Sequence, residues 1–208
     1  MALDVQRLQP QSKPPLLICG FDEAGRGPLA GPVYAACVVL KPEFPVELLN
    51  DSKKLSAQKR ETARIAIYEK AAAWGIGACS AAEIDKINIL QASLLAMRRA
   101  WDDMFLRESG IFDCSNPANL EGIVDGLFVP DVPFPCRALV KADSSVPEVM
   151  AASILAKTAR DRMMDRYGWI YPEYGYEKHK GYPTKAHREA LVRLGPSPIQ
   201  RLSFKVKS

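Results

Sequence analysis

Asp22 and Glu23 are neighbouring carboxylates in the stretch G-F-D-E-A-G-R-G, Gly20 to Gly27. The apolar run Leu16-Leu17-Ile18-Cys19 precedes them, and a second, Val33 to Leu40, follows the loop Pro28 to Pro32. Paired carboxylates can hold a hard cation. Gly25 and Gly27 present bare backbone amides, and Arg26 adds a cation beside them. Carboxylates for a metal, next to groups that bind anions, suggest phosphate chemistry. Neighbouring strand residues point to opposite faces, so Asp22 and Glu23 can share one site only where the strand ends or bulges. The competing reading is a tight turn with two solvated acids.

Asp125, in E-G-I-V-D-G-L, also closes an apolar strand. Asp143 follows the strand Cys136 to Val140 in the sequence Lys141-Ala142-Asp143. Acids at three strand ends can meet only if those ends are neighbours in one sheet, which implies an acid cluster on a mixed α/β sheet. Oxygen-only ligands, without paired His or Cys, suit Mg²⁺ or Mn²⁺ rather than zinc. Without a cation, carboxylates sharing one pocket raise each other's pKa.

The positioning elements follow from pattern. Ser56 is placed to cap a helix to about Ala73, and Trp74 to Cys79 reads as a strand. Ser80-Ala81-Ala82-Glu83 is a capping box for a helix to about Asp103. Ile84, Ile87, Leu90, Leu94 and Met97 would form its buried stripe. Glu108 to Asn119 reads as loop. Ser145-Val146-Pro147-Glu148 combines a second capping box with Pro in the first turn of a helix to about Tyr167. Ala151-Ala152-Ser153 lets that helix lie close to the sheet. A loop rich in Trp169, Tyr171, Tyr174, Tyr176, His179, Lys180 and Tyr182 comes next, then a helix from Lys185 to Leu194. Aromatics interleaved with Lys and His suit a nucleic-acid groove, and equally a packed loop.

The 208 residues suffice for one α/β core. A hydrophobic fraction of 48% and a charged fraction of 25% are those of a soluble domain, and no apolar run is long enough to span a membrane. Met1 to Lys13 is polar, unlike a signal peptide. Five cysteines without a C-x-x-C pair read as reduced thiols, so a cytoplasmic location is expected. Residues 1–150 carry 16 Lys/Arg against 19 Asp/Glu, and residues 151–208 carry 12 against 5. The basic C-terminal part suits a polyanion track beside an acid site.

Taken together, these motifs resemble type 2 ribonuclease H, ribonuclease HII, from nearly end to end. The resemblance is carried by D-E-A-G-R-G-P-L-A-G-P-V at Asp22 to Val33, D-S-K-K-L-S at Asp51 to Ser56 and I-N-I-L at Ile87 to Leu90. V-D-G at Val124 to Gly126, A-A-S-I-L-A-K at Ala151 to Lys157 and H-K-G-Y-P-T-K-A-H at His179 to His187 follow in the family's order. It implies a ribonuclease H-like α/β fold, a five-stranded mixed sheet flanked by helices, with a helical C-terminal part. The organisation expected is a polar tail over 1–13, a catalytic domain over 14–168 and a basic, aromatic-rich substrate-contacting part over 169–208.

The resemblance implies that Asp22, Glu23, Asp125 and Asp143 are the catalytic, metal-binding carboxylates, holding two Mg²⁺ or Mn²⁺ ions. Gly25, Arg26 and Gly27 match the segment that senses the ribose 2′-hydroxyl. Tyr182 matches a ring that lies against the deoxyribose after the ribonucleotide. Ser52, Lys53 and Lys180 are further expected substrate contacts, and Lys54 and Lys185 are candidates for phosphate. The implied activity is hydrolysis of RNA–DNA hybrids and of single ribonucleotides in duplex DNA, leaving 5′-phosphate and 3′-hydroxyl ends. The partner is nucleic acid, with no membrane, and the protein is expected to be a monomer. The alternative is a non-catalytic hybrid-binding protein of the same fold, against which the complete acid set argues. Two departures stand out: Ala142 replaces the usual Gly before the fourth acid, and Gln200-Arg201-Leu202-Ser203-Phe204 replaces His-Arg-x-Ser-Phe.

Overall fold

The computed structural model describes residues 16–49, 56–107 and 119–205. Its centre is a five-stranded mixed sheet of β1 (Leu17–Ala24), β2 (Val33–Val39), β3 (Ala73–Cys79), β4 (Leu120–Asp125) and β5 (Cys136–Leu139), in the order β3-β2-β1-β4-β5. β2 runs antiparallel to both β1 and β3, whereas β1, β4 and β5 are mutually parallel. The helices are α1 (Ala57–Lys70), α2 (Ala81–Arg107), α3 (Pro147–Ile170), α4 (Tyr176–His179) and α5 (Lys185–Leu194).

Strand alternation sorts the core into two layers. Val33, Ala35, Cys37 and Val39 of β2 pack toward α2, with Cys19 and Phe21 of β1. Ala36 and Val38 pack on the other face, with Ala151, Ile154 and Leu155 of α3 and Ala63 and Ile67 of α1. Glycines bring helix and sheet together: a Cβ on Gly20 would lie 2.2 Å from the Glu148 backbone of α3, and one on Gly75 would lie 2.1 Å from the Ala100 carbonyl of α2.

The structure departs from expectation in α2, at the start and end of α3, and at the end of α1. α2 is not one regular helix: Asn88 breaks it at φ 66° and ψ 166°. The Asn88 Oδ1 accepts from Leu90 N and Gln91 N and so starts the second segment. The break shifts the buried stripe to Ala92, Ala96, Met97, Ala100, Trp101 and Met104, leaving Leu90 and Leu94 only partly covered. The Ser145–Glu148 capping box does not form, because Val146 takes the N-cap position ahead of Pro147 and makes no side-chain cap bond. α3 ends at Ile170 rather than about Tyr167, and α1 ends at Lys70, so that β3 begins at Ala73. By contrast, the Ser80–Glu83 box forms in both directions, at 2.8 and 3.2 Å, and Ser56 caps α1 through Lys59 N.

α3 runs unbroken across position 168, and the C-terminal segment packs onto it through Ala30, Met164, Tyr176 and Ile199. Cys19, Cys37, Cys79 and Cys136 are free thiols. No helix among the described residues is long and apolar enough to cross a membrane. The stretches at Ser52, Lys53 and Lys54 and at 108–118 lie outside the described residues.

Candidate active site

β1 carries the first two acids and ends one residue past them, at Ala24, without a bulge in its ladder to β2. Asp22 and Glu23 stay in the ladder with β2, opposite Ala36 and Ala35. The pairing with β4 stops at Phe21↔Val124. β1 therefore projects past β4 as a ledge with one free edge, and both acids line one cleft despite the pleat. The parallel register of β1 and β4 sets Asp125 beside Asp22.

Asp143 comes from a one-turn 3-10 helix at Ala142–Ser144. The Asp125 Oδ1 accepts from the Ala142 N–H at 2.9 Å, which ties the end of β4 to that turn. The left-handed conformation needed to enter the turn falls on Lys141, φ 61°. Ala142 is buried without a positive φ, so its replacement of glycine is accommodated.

The four acids share a cleft of about 420 Å³ with Ala24, Gly25, Arg60, Ser153, Lys157, Arg160 and Tyr182. Burial raises the Asp22 pKa well above the usual carboxylate range, and the Glu23 and Asp125 charges add to it; hydrogen bonds from Ser153 and the Glu23 amide oppose it. Glu23 is also raised by burial, offset by Arg26, whose Nη1 lies 3.2 Å from its carboxylate. Asp22 lies buried beside other carboxylates, and every donor in the set is a hard oxygen. The set fits a divalent cation such as Mg²⁺ or Mn²⁺. Among the described residues no group of three acids, histidines or cysteines is drawn into a ready-made metal cage. An open carboxylate-lined cleft is what suits ions that keep waters and substrate oxygens as ligands.

Gly25 holds φ 103°, and a Cβ there would lie 2.1 Å from Arg160 Nε. Gly27 has no positive φ, and its nearest neighbour is the Tyr182 ring, at 3.8 Å from a Cβ. Tyr182 is 42% exposed and faces the glycine loop. Its own loop is tightly built: Leu29 N donates to Gly181 O at 2.8 Å, Gly181 N donates to His179 Nδ1 at 3.2 Å, and His187 Nδ1 donates to Tyr182 O at 3.0 Å. His179 and His187 stack at 4.5 Å, and Tyr174 and Tyr176 at 5.5 Å. Most of the C-terminal aromatics thus brace the loop from below, and Tyr182 is the ring presented to the cleft.

The remaining candidates fall elsewhere. The Arg26 guanidinium is turned to Glu23, with its side chain 51% exposed. Lys180 does not line the cleft; its ammonium is held by Asp165 and by the Glu177 carbonyl. Lys185 is exposed on α5, 3.8 Å from Glu189. Ser52, Lys53 and Lys54 are outside the described residues. The sequence reading missed Ser153, Lys157 and Arg160 as cleft residues. They recur at i, i+4 and i+7 along α3, one helical face, and that polar stripe on an Ala-rich helix was the available signal.

A model of the ribonuclease HII family matches residues 19–207. The chain belongs to the ribonuclease HII family. It is 58% identical over 197 residues to the ribonuclease HII of Treponema denticola, covering 92% of this chain and all of the relative. It is 48% identical over 188 residues to that of Dechloromonas aromatica, covering 90% of each. The fold is similar to the RNase HII in the PCNA:RNase HII complex from Archaeoglobus fulgidus, with a TM-score of 0.70 at 24% identity over 93% of this chain and 97% of that one. It is also similar to Bst-RNase HIII in complex with Mn²⁺, with a TM-score of 0.69 at 17% identity over 91% of this chain and 67% of that one. The five-stranded mixed sheet is that of a ribonuclease H-like fold. As a ribonuclease HII, the chain is a metal-dependent ribonuclease H-type endonuclease acting on nucleic acid.

Proposed function

We propose that this ribonuclease HII cleaves the RNA strand of RNA–DNA hybrids and cuts at single ribonucleotides embedded in duplex DNA. The observation that carries the reading is the convergence of four carboxylates, Gly25 and Tyr182 on one cleft. Asp22, Glu23, Asp125 and Asp143 would hold two divalent cations, Mg²⁺ or Mn²⁺. Those ions, when bound, supply an activated water and charge neutralisation at the leaving oxygen. Bst-RNase HIII, which shares the fold, was solved in complex with Mn²⁺.

The chain's own groups do the rest. Asp22 is fixed by its bond to the Glu23 amide, 2.7 Å, and Asp125 by the Ala142 amide, so the acids are pre-set before substrate arrives. Lys157, whose ammonium also donates to Asp161 at 2.8 Å, and Arg60 line the cleft as cations for the phosphate backbone. A ribose 2′-hydroxyl both donates and accepts, and backbone groups of Gly25, Arg26 and Gly27 offer both partners. The Tyr182 ring, across a narrow gap from Gly27, offers a flat face to the next sugar. No side chain is placed as a nucleophile, so the expected ends are 5′-phosphate and 3′-hydroxyl.

The test is cleavage of a labelled RNA–DNA hybrid against a DNA duplex of the same sequence, with Mg²⁺, Mn²⁺ or EDTA. Only the hybrid with a metal should be cut. Tight hybrid binding without cutting under any metal would leave a binding protein instead.

A further inference from the structure

Arg160 and Arg201 are 1% and 0% exposed, the two largest fully buried side chains among the described residues. Among those residues, their hydrogen-bond acceptors are all backbone carbonyls of the glycine loop. Arg160 donates to Pro32 O at 3.0 Å and Ala30 O at 3.2 Å. Arg201 donates to Gly31 O at 2.9 Å, Arg26 O at 3.1 Å, Pro28 O at 2.8 Å and Gly25 O at 2.6 Å. Its backbone N–H takes Leu29 O at 2.9 Å. Along Gly25 to Pro32, the carbonyl of Gly27 is the one that neither arginine claims.

The pair is expensive to keep. Two guanidinium groups lie buried near each other, and burial together with the Arg160 charge lowers the Arg201 pKa. Among the described residues Arg160 Nη1 has no acceptor, although Arg160 lines the cleft with its guanidinium carbon 5.9 Å from the Tyr182 ring centroid. Apolar residues would fill the same space at less cost. They could not fix a run of carbonyls, whereas a planar five-donor fork can. The tail that delivers Arg201 is itself stapled, since the Asp85 carboxylate accepts from Leu202 N and Ser203 N, both at 2.9 Å.

We propose that Arg160 and Arg201 are positioning residues for ribonucleotide recognition: as a buried cationic brace they set the shape of the Gly25–Pro32 loop and its gap to Tyr182. They thereby tune the choice of ribose over deoxyribose without touching substrate. The proposal rests on the reading of the cleft given above. It also reassigns Arg201, which acts on substrate through the loop and not as a phosphate contact.

Arg201→Lys and Arg160→Lys keep the charge and lose the fork. Each is assayed below its own melting temperature for kcat/KM on a duplex with one ribonucleotide, and for all-DNA duplex affinity by fluorescence anisotropy. The brace predicts that kcat/KM per folded molecule falls at least about tenfold, because sub-ångström misplacement is enough. Affinity for all-DNA duplex should stay within about threefold, since the phosphate contacts are elsewhere. Unchanged kcat/KM in the folded variants overturns the proposal, as does an equal fall in DNA affinity. If Arg201→Lys does not fold, Arg160→Lys decides. If neither folds, the pair is general scaffolding and the proposal fails. A wild-type protein that binds DNA but cuts no ribonucleotide duplex sinks the functional reading itself, a distinct result.

Discussion

Gly25 and Gly27 sit two residues apart in one motif, yet the structure gives them opposite vulnerabilities. At Gly25 an added methyl meets a left-handed backbone, φ 103°, which costs about 1–3 kcal/mol for a side-chain-bearing residue. It also falls 2.1 Å from Arg160 Nε, so the guanidinium must move off the Pro32 and Ala30 carbonyls. A hydrogen bond from a charged donor is worth about 1.5–3 kcal/mol. Gly25→Ala should therefore lose roughly 3 kcal/mol or more, a fall of about 6–12 °C in Tm at ~2–4 °C per kcal/mol for a chain of this size. At Gly27 the backbone is ordinary, and the methyl reaches van der Waals contact with Tyr182 at 3.8 Å. Gly27→Ala should change stability by no more than about 1 kcal/mol. That methyl would stand against the ring that is to meet the sugar, so kcat/KM on a single-ribonucleotide duplex should fall about ten- to a hundredfold. Thermal melts and steady-state cleavage on the two variants separate the cases. A fully active Gly27→Ala would refute the sugar site, and a Gly25→Ala with wild-type Tm would refute the packing argument.

Other outcomes follow from the same geometry. Asp125→Asn and Asp143→Asn should fold normally and lose at least about a hundredfold in rate, since metal-organised charge supplies several kcal/mol; circular dichroism with single-turnover cleavage checks both. Tyr182→Ala should keep its Tm, because the ring is 42% exposed, and lose about ten- to a hundredfold on single ribonucleotides, with a smaller loss on continuous hybrid. His187 is fully buried, its Nε2 has no partner among the described residues, and burial lowers its pKa. The unfolded chain therefore takes up this proton first as pH falls. The stability His187 contributes is complete above the ordinary histidine pKa of about 6.5 and declines below it. The Tm difference between wild type and His187→Gln, followed from pH 8 to 5, should shrink or reverse on the acid side; a constant difference would contradict the buried neutral imidazole.

Local signals carried much of the fold into view. The Ser80–Glu83 box forms as its spacing demands because nothing competes with it. The same pattern at Ser145 fails because Pro147 fixes the first helical turn and Val146 becomes the N-cap. Asn88 could have been read as a second helix start, with Gln91 three residues on, but it sits inside a continuous apolar period that masks the break. The four acids were legible as strand-end residues; that β1 runs three residues past its last pair with β4 is a register fact no periodicity encodes. Arg201 was the least legible. A basic tail residue reads as a phosphate contact, and only the fold shows that loop carbonyls some 170 positions away are its acceptors.

One incubation is decisive: a DNA duplex carrying a single ribonucleotide, end-labelled, with Mg²⁺ or Mn²⁺ and with EDTA, and both new ends mapped. A single metal-dependent cut at the ribonucleotide, with 5′-phosphate and 3′-hydroxyl termini, is the result predicted. A cut that survives EDTA, 2′,3′-cyclic ends, or equal cutting of the matching all-DNA duplex would contradict a carboxylate-held, metal-dependent site that reads the ribose.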